Sequence, residues 1–482
     1  MDDHGQPLLA TAPSKLEQLH CASKAAASTS VPSTAWSNQA VLDRLKDLKA
    51  KWLRVYWQDY TGSVRMRLIP IKRVQAVLQS GKPFTISITK ASLGLLQIDA
   101  CIPQQSATGI YTACPDWSSL MLGPAEGHAS CFAELREPNG TTAVLCPRAL
   151  LRKILEKSKG HGLSFIVGFE LEFIVMERNL DPNSGEKYCS LQNDDGHAWS
   201  MARSVADWGR SGSFTTTMDE IVEALEAAGI DIELFHPEAA PGQYEIVLPP
   251  LPPLEACDAL LHTRQILEAT AARHSFRVTL HPKPFAMACG SASHVHLSIS
   301  SPGGDKPETY ESFYAGILRH FRAIIAFTYS NPTSYERMVD SFWAGGRWVT
   351  WGTQNKETPL RKCEDSHWEL KTMDGLANPY LALAAILSAG TSGVVAKEPL
   401  VWGDCEIDPA KLTEAQKEDL GVSQMFPANL TEALQALQED KELSCLLNPL
   451  LVEHYVRVKT AELAFLDPMS AEERRQWILE RY

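Results

Sequence analysis

The sequence has no paired cysteines, no membrane-length apolar run, no internal repeat and neither of the common glycine-rich phosphate loops. Each absence excludes something. The 11 cysteines are scattered without a Cys-x-x-Cys pair, which removes a zinc ribbon or a disulfide framework and reads as mostly buried thiols in a reducing compartment. No apolar stretch approaches the ~18 residues that a membrane span requires. The start at Met1-Asp2-Asp3 has the features of neither a secretory signal nor an Arg-rich transit peptide, so a cytoplasmic protein without a membrane partner is expected. Positive charge is also short. Against 58 Asp and Glu stand 45 Lys and Arg, a net charge of −13, so the electrostatic footprint of a nucleic-acid binder is missing. An acidic chain still holds anionic substrates where arginine, lysine or metal ions are concentrated locally. With neither Gly-x-x-x-x-Gly-Lys nor Gly-x-Gly-x-x-Gly, any nucleotide must bind in another way.

What remains is 482 residues with an ordinary apolar share of 44%, enough for two or three domains. Residues 1–35 are rich in Ala, Ser, Thr and Pro and carry too little apolar surface to order themselves, so they read as a flexible tail. Residues 36–142 begin with a helical pattern. A hairpin follows, LRVYWQDY and SVRMRLIPI around a Thr61-Gly62 turn, and then short punctuated runs of a small, mainly β domain. From residue 143 to 482 the rhythm changes. A helix is expected from Pro147 to Gly160, then the strand LSFIVGFELEFIVME, the helix MDEIVEALEAAG, and the strands IDIELF and QYEIVL. A long helix from LEACDALL, the strands FRVTLHP and SHVHLSIS, and two apolar helices complete a mixed α/β domain with antiparallel-compatible links and a helical end.

Ionisable residues recur on strands at period two. In GFELEF, Glu170 and Glu172 share one face while Phe169, Leu171 and Phe173 take the other. Two carboxylates facing one way repel unless a cation or protons lie between them; a solvated strand face is the alternative reading. Glu238 sits in a Pro/Gly-containing loop and Glu245 in the strand after it. His294 and His296 stand at i and i+2 in SHVHLS, and His367, Glu369 and Lys371 alternate in HWELK. Carboxylates with an imidazole or two suit Mg²⁺ or Mn²⁺, and paired metal ions clamp the anionic oxygens of a transferring phosphate. Arg337, Lys356 and Arg361 are nearby basic candidates. The residues alone reach a divalent-metal enzyme handling phosphate, and no further.

At these residues the chain resembles the glutamine synthetase family, in its type I branch, from about Ala35 to Tyr482. The motifs that carry the resemblance are WQDYTGSVR, PDWSSLMLGP, GFELEF, PGQYEI, HPKPF with SHVHLS, SYERMV and LANPYLALAAILSAG, in the family's order. The resemblance implies an α+β protein: a small N-terminal β-grasp domain, then a catalytic domain whose antiparallel sheet forms a half-barrel flanked by helices. It implies a homo-oligomeric ring, commonly a dodecamer of two stacked hexamers, with sites between neighbouring subunits. The family's metal ligands match Glu170, Glu172, Glu238, Glu245, His294 and Glu369, for two or more Mg²⁺ or Mn²⁺ ions. ATP contacts match Glu233, His296, Ser298, Lys356 and Arg361. Substrate contacts match Gly290, Arg337, Lys371 and Trp343. Arg361 would steady the transferring phosphate, and Asp59 would help bind the incoming ammonium from a neighbouring subunit.

Several positions depart from the family. Cys289 replaces the asparagine before Gly290, Lys371 and Lys356 replace arginines, and His367 replaces another. A flap glutamate that closes the ammonium site falls on Trp343. The resemblance therefore implies an ATP-dependent ligase that joins glutamate or a related acid to ammonia or, given Trp343, an organic amine. The alternative is a structural or regulatory relative with a weakened reaction.

Overall fold

The computed structural model describes residues 36–180, 187–191 and 212–482; the expected tail, residues 1–35, lies outside them. Two sheets organise the chain. The first contains β1 (Trp52–Gln58), β2 (Val64–Pro70), β3 (Ile86–Thr89), β4 (Ile110–Pro115), β5 (Met121–Leu122) and β6 (His128–Arg136), in the order β2-β1-β6-β4-β3 with β5 beside β6. The expected hairpin is present, with Gln58 opposite Val64 and Trp52 opposite Pro70. The neighbour of β1 on its other side is β6, and that pairing is parallel.

The second sheet is larger. It contains β7 (Phe165–Arg178), β8 (Tyr188–Ser190), β9 (Leu234–Pro237), β10 (Gln243–Val247), β11 (Phe276–Thr279), β12 (Ser293–Ile299), β13 (Trp351–Thr353), β14 (Leu360–Glu364) and β15 (His367–Leu370). Its order is β13-β14-β15-β12-β7-β10-β9, with β8 and β11 also on the long β7. All pairings are antiparallel except β13 with β14. The sheet curls into the half-barrel that an α+β reading expects, with helices packed against it. One strand differs from the sequence reading: IDIELF is extended only from Leu234, so the strand is LFHP, which places His236 inside it.

The two apolar helices, Pro307–Thr328 and Pro379–Ala396, are packed together. The second departs from the sequence reading, which expected no apolar run of membrane length: its 18 residues are long and apolar enough to cross a membrane, yet 83% of it is buried inside the protein, so its hydrophobicity serves the core. Asn378 starts it by accepting a hydrogen bond from the Leu381 amide, with Pro379 pre-set for the first turn. Tyr314 of the first of these helices stacks on the Trp368 ring of β15, with centroids 4.0 Å apart. Of the ten cysteines described, only four are buried, fewer than the sequence reading expected, and all ten are free thiols.

Several ties join the small sheet to the large half. The Thr61-Gly62 turn presses on the segment before helix Pro379–Ala396. Gly62 has φ +86°, and a Cβ there would strike the Leu376 carbonyl, so only glycine fits. Asn378 Nδ2 donates to the Asp59 carbonyl at 3.0 Å. Tyr482 donates its hydroxyl to the Thr61 carbonyl at 2.8 Å, while its own carbonyl accepts from Leu280 of the large half.

The strongest tie is Arg148. It is 4% exposed and lies 2.8 Å from Asp116 of the small half and 2.7 Å from Asp258 of helix Pro253–Arg273. Burial would raise the Asp116 carboxyl, but Arg148 and its neighbours hold it down at about 2. Deleting one partner of such a network leaves buried charge uncompensated, which costs about 3–5 kcal/mol. Arg148→Ala is therefore expected to lower the urea midpoint of the full chain by that amount of stability. A loss under about 1 kcal/mol would mean that the network contributes no more than a surface pair.

Candidate active site

The register of the second sheet builds the site. Glu172 on β7 faces Glu245 on β10 as a Cα pair, and Glu170, two residues earlier, faces His294 on β12. His296 then faces Glu369 on β15, and Glu369 faces Arg361 on β14. Directly paired residues share a face, and residues two apart stay on it. A single face across five strands thus carries Glu245, Glu172, Glu170, His294, His296, Glu369 and Arg361. On the far side of β10, His236 of β9 pairs with Glu245, and Glu238 follows at the end of that strand.

The contacts are close. His294 Nδ1 is 3.0 Å from Glu170 and 3.3 Å from Glu369, and His296 Nε2 is 2.9 Å from Glu170. His236 Nε2 is 3.1 Å from Glu245. Gln243 donates to Glu172 at 2.7 Å, and the Ala292 amide donates to the same oxygen at 2.9 Å. Lys371 Nζ is 3.0 Å from one Glu369 oxygen, and Arg361 is 3.1 Å from the other.

Burial and charge split the carboxyls into two groups. Burial would raise Glu170, but hydrogen bonds from His294 and His296 hold it far below the usual carboxylate range. Burial likewise works against Lys371 and His294 at Glu369, which they hold at about 2. Glu172 is pushed up to about 7, mainly by burial, with His294 opposing and Glu238 and Glu245 adding. Glu245 also rises through burial, against the hydrogen bond from His236. That bond carries His236 up to about 9. Burial opposes protonation of His296, but Cys363 and Glu170 raise it to about 10. Protons and imidazolium charge thus do the neutralising that a bound cation would take over, and metal binding here would release protons.

The donor set fits hard divalent ions. Carboxylate and imidazole atoms converge within 4.8 Å in three overlapping groups: Glu170, Glu245 and His294; Glu170, His296 and Glu369; and His236, Glu238 and Glu245. His294 Nε2 is buried and has no hydrogen-bond partner among the described residues, an arrangement that a metal ligand explains. Glu170 and Glu245 each belong to two of these groups, so they would serve as ligands wherever hard divalent ions bound here.

The other sequence candidates divide. Ser298 lies two residues past His296 on the same face of β12, half-buried. Arg337 is 3% exposed. It donates to the Tyr329 hydroxyl and, at 3.3 Å, to the Lys371 carbonyl, and its Nε has no partner among the described residues. Gly290 lies against it: a Cβ there would come within 2.7 Å of the Arg337 Cβ. Glu233 and Lys356 are exposed. Trp343 is 53% exposed. Asp59 is not brought to the cluster. It is buried, pairs with Arg65 at 2.7 Å, and accepts from Thr61 and Ser63 within its own turn.

Sequence reasoning missed His236, Gln243 and Cys363. His236 precedes Glu238 at i+2 in HPE, the same period that flagged GFELEF, but it was hidden by the misplaced strand boundary. Gln243 carries no charge to attract notice. Cys363 lies close enough to His296 and His367 to form a further group with them.

The model for the glutamine synthetase catalytic domain matches residues 144–482. The chain belongs to the glutamine synthetase family. Members of this family typically use ATP and divalent metals. The chain is 39% identical over 437 residues to protein fluG of Emericella nidulans, a match covering 90% of this chain and 49% of fluG; it thus spans about half the length of that relative. It is 30% identical to gamma-glutamylpolyamine synthetase GlnA3 of Streptomyces coelicolor, across 84% of this chain and 88% of GlnA3. A solved structure described as a novel glutamine synthase homolog is 26% identical, with TM-score 0.73, covering 90% of this chain and 99% of that one.

For this glutamine synthetase family member, divalent ions should stabilise the fold by binding only the native state. Mn²⁺ is expected to raise the melting temperature of the parent, and Glu245→Gln to remove most of that rise. Equal shifts in parent and variant would take Glu245 out of the ligand set.

Proposed function

We propose that the protein is an ATP-dependent carboxylate–amine ligase that forms a γ-glutamyl amide through an acyl phosphate. The observation carrying this reading is the row of carboxylates and imidazoles on one sheet face, with Arg337, Lys371 and Arg361 at its edges. The acid is glutamate or a related acid, and the acceptor is ammonia or, more in keeping with Trp343, an organic amine. Gathering so many carboxylates costs stability unless cations offset their repulsion, which supports an enzyme over a structural or regulatory relative. The similarity to a gamma-glutamylpolyamine synthetase supports an amine acceptor.

Direct condensation of a carboxylate with an amine is uphill in water; phosphorylation converts the carboxylate oxygen into a leaving group and splits the process into two feasible steps. Glu170, Glu172, Glu238, Glu245, His294 and Glu369 would hold two or more Mg²⁺ or Mn²⁺ ions. When bound, these ions neutralise the oxygens of the γ-phosphate and of the substrate carboxylate. Glu233, His296, Ser298 and Lys356 would hold ATP. Arg337, whose Nε lies beside Gly290 and has no partner among the described residues, would take the α-carboxylate of the acid. Arg361 is fixed between Glu369 and Gln354, oriented to meet charge developing on the transferring phosphoryl group. Lys371 tethers Glu369 and screens the anionic pocket beside Arg337.

The reading includes a homo-oligomeric ring, in which the Asp59 turn of one subunit faces the cluster of the next. Both Asp59 oxygens are held by Arg65, Thr61 and Ser63, which makes the turn rigid enough to present at a shared site. An inactive Asp59→Asn chain mixed into rings with an inactive Glu170→Gln chain is then expected to regain part of the activity. Verified mixed rings without any recovery, or a monomer by light scattering, would count against shared sites.

Activity is the direct test. With Mg²⁺ or Mn²⁺, ATP and glutamate, ADP release should depend on an added amine. Arg361→Ala should lower kcat by roughly 10²–10³-fold, the size expected for a donor that acts mainly in the transition state. Metal-independent ADP release, or none with glutamate and any amine, would contradict the ligase reading.

A further inference from the structure

The flap, residues 340–347, is an unusual piece of backbone. Ser341 and Trp343 have φ +63° and +56°, followed by Gly345 at +84° and Gly346 at +64°. A left-handed tryptophan is held against its preference only where the surroundings fix it. Asp340 pairs with Arg347 at 2.6 Å, and the Ser341 hydroxyl donates to Asp408 at 2.5 Å. The Trp343 amide donates to the Glu357 carboxylate at 3.2 Å. The same loop exposes two successive aromatic side chains, Phe342 at 44% and Trp343 at 53%, and rests the backbone of the second on the half-buried Glu357 carboxylate.

Glu357 stands on a rigid turn. The Asn355 side chain accepts from the Glu357 amide at 3.0 Å and donates to the Cys405 and Ile407 carbonyls at 2.7 and 3.0 Å. The Thr358 hydroxyl closes the turn onto the Asn355 carbonyl at 2.8 Å. The turn also lies next to the substrate pocket. A Cβ on Gly345 would be 3.2 Å from the Lys371 Cβ, and one on Gly346 would be 3.1 Å from the Glu357 carbonyl. Lys283, from the loop that leads to Cys289-Gly290, reaches over the Phe342 ring at 5.6 Å. Electrostatics agree: Lys371 is among the charges that Glu357 feels, and Glu357 is among those that help burial push up the Cys289 thiol.

On the ligase reading above, we infer that Glu357 supplies the acceptor pocket with the carboxylate that the flap itself lacks, and that the acceptor is a primary alkylamine whose hydrocarbon body lies under Phe342 and Trp343. A carboxylate is the counter-ion for R–NH₃⁺, and aromatic faces both attract the cation and cover its alkyl chain. Ammonium has no chain to cover. In the reaction, R–NH₃⁺ passes one proton to Glu357, and the freed nitrogen lone pair attacks the acyl phosphate carbon. The C–N bond forms and the C–O bond to phosphorus breaks, with its electron pair leaving on inorganic phosphate. The surplus N–H proton of the new amide departs with that phosphate. Glu357 thus contacts the acceptor directly.

The test compares n-butylamine, ammonium and hydroxylamine as acceptors with the 482-residue chain, glutamate, ATP and Mg²⁺. Hydroxylamine is mainly uncharged at pH 7, so it needs neither a counter-ion nor a proton acceptor. The parent is expected to prefer butylamine to ammonium. Glu357→Gln should lower the kcat/KM ratio of butylamine to hydroxylamine by roughly ten- to hundredfold, the usual size for a lost charge-assisted contact. Trp343→Ala should lower the ratio of butylamine to ammonium by about tenfold. An equal loss for both nucleophiles in Glu357→Gln would overturn the inference and leave Glu357 as a flap tether only, as would no loss at all. A parent that forms amides but prefers ammonium would overturn the alkylamine assignment alone. A parent that forms neither amide nor hydroxamate would instead sink the ligase reading on which this inference rests.

Discussion

Carboxylate repulsion governs this molecule. Glu170, Glu172 and Glu245 occupy adjacent positions on β7 and β10, and Glu369 joins them across β12. Sheet register leaves them no freedom to move apart, because sliding any one strand by a residue would turn its ionisable side chains into the apolar core and its Phe and Leu residues outward. The buried residues on the opposite face, Phe169, Leu171, Phe173, Ile246 and Trp368, fix the register. The charges are therefore held together by hydrophobic packing on the reverse side of the same strands. His236, His294, His296, Lys371 and Arg361 partly neutralise them, and Glu172 and Glu245 are pushed toward protonation. A site arranged this way favours cations from the outset.

The small sheet depends on the large one through a few specific ties rather than a broad apolar seam alone. Arg148 gathers carboxylates from both halves, Gly62 lets the β1–β2 turn sit against Leu376, and Tyr482 spans from Thr279 and Leu280 to Thr61. These ties fix the Asp59 turn relative to the start of the helix Pro379–Ala396. The position of Asp59 is thus set by the whole fold even though its own chain does not bring it to the cluster.

Much of this was legible in the sequence because it is local. Period-two alternation exposed Glu170 with Glu172, His294 with His296 and Glu369 with Lys371, and capping signals placed the helix Pro147–Gly160 at its observed bounds. Less was legible where pairing is non-local. Nothing in residues 52–58 specifies that β1 will lie parallel to β6, because that partner comes some seventy residues later. The strand at LFHP was misplaced because Ile230 and Ile232 look as extended as Leu234 and Phe235, and the error concealed His236. The helix Pro379–Ala396 shows the converse limit: its composition cannot distinguish a membrane span from a core helix, whereas its burial can. The Glu357 carboxylate was invisible in sequence because its relevance rests on a contact with Trp343, fourteen residues earlier across a left-handed turn.

The central claim is that the row of carboxylates is a divalent-metal centre whose ligands come from separate strands of one sheet. Anomalous diffraction from crystals soaked in Mn²⁺ tests it most directly. The account predicts at least two peaks on the concave face, one among Glu170, Glu245 and His294 and another reaching Glu369 or Glu238. Difference maps with no peak there, or with Mn²⁺ bound only by surface carboxylates elsewhere, would contradict it.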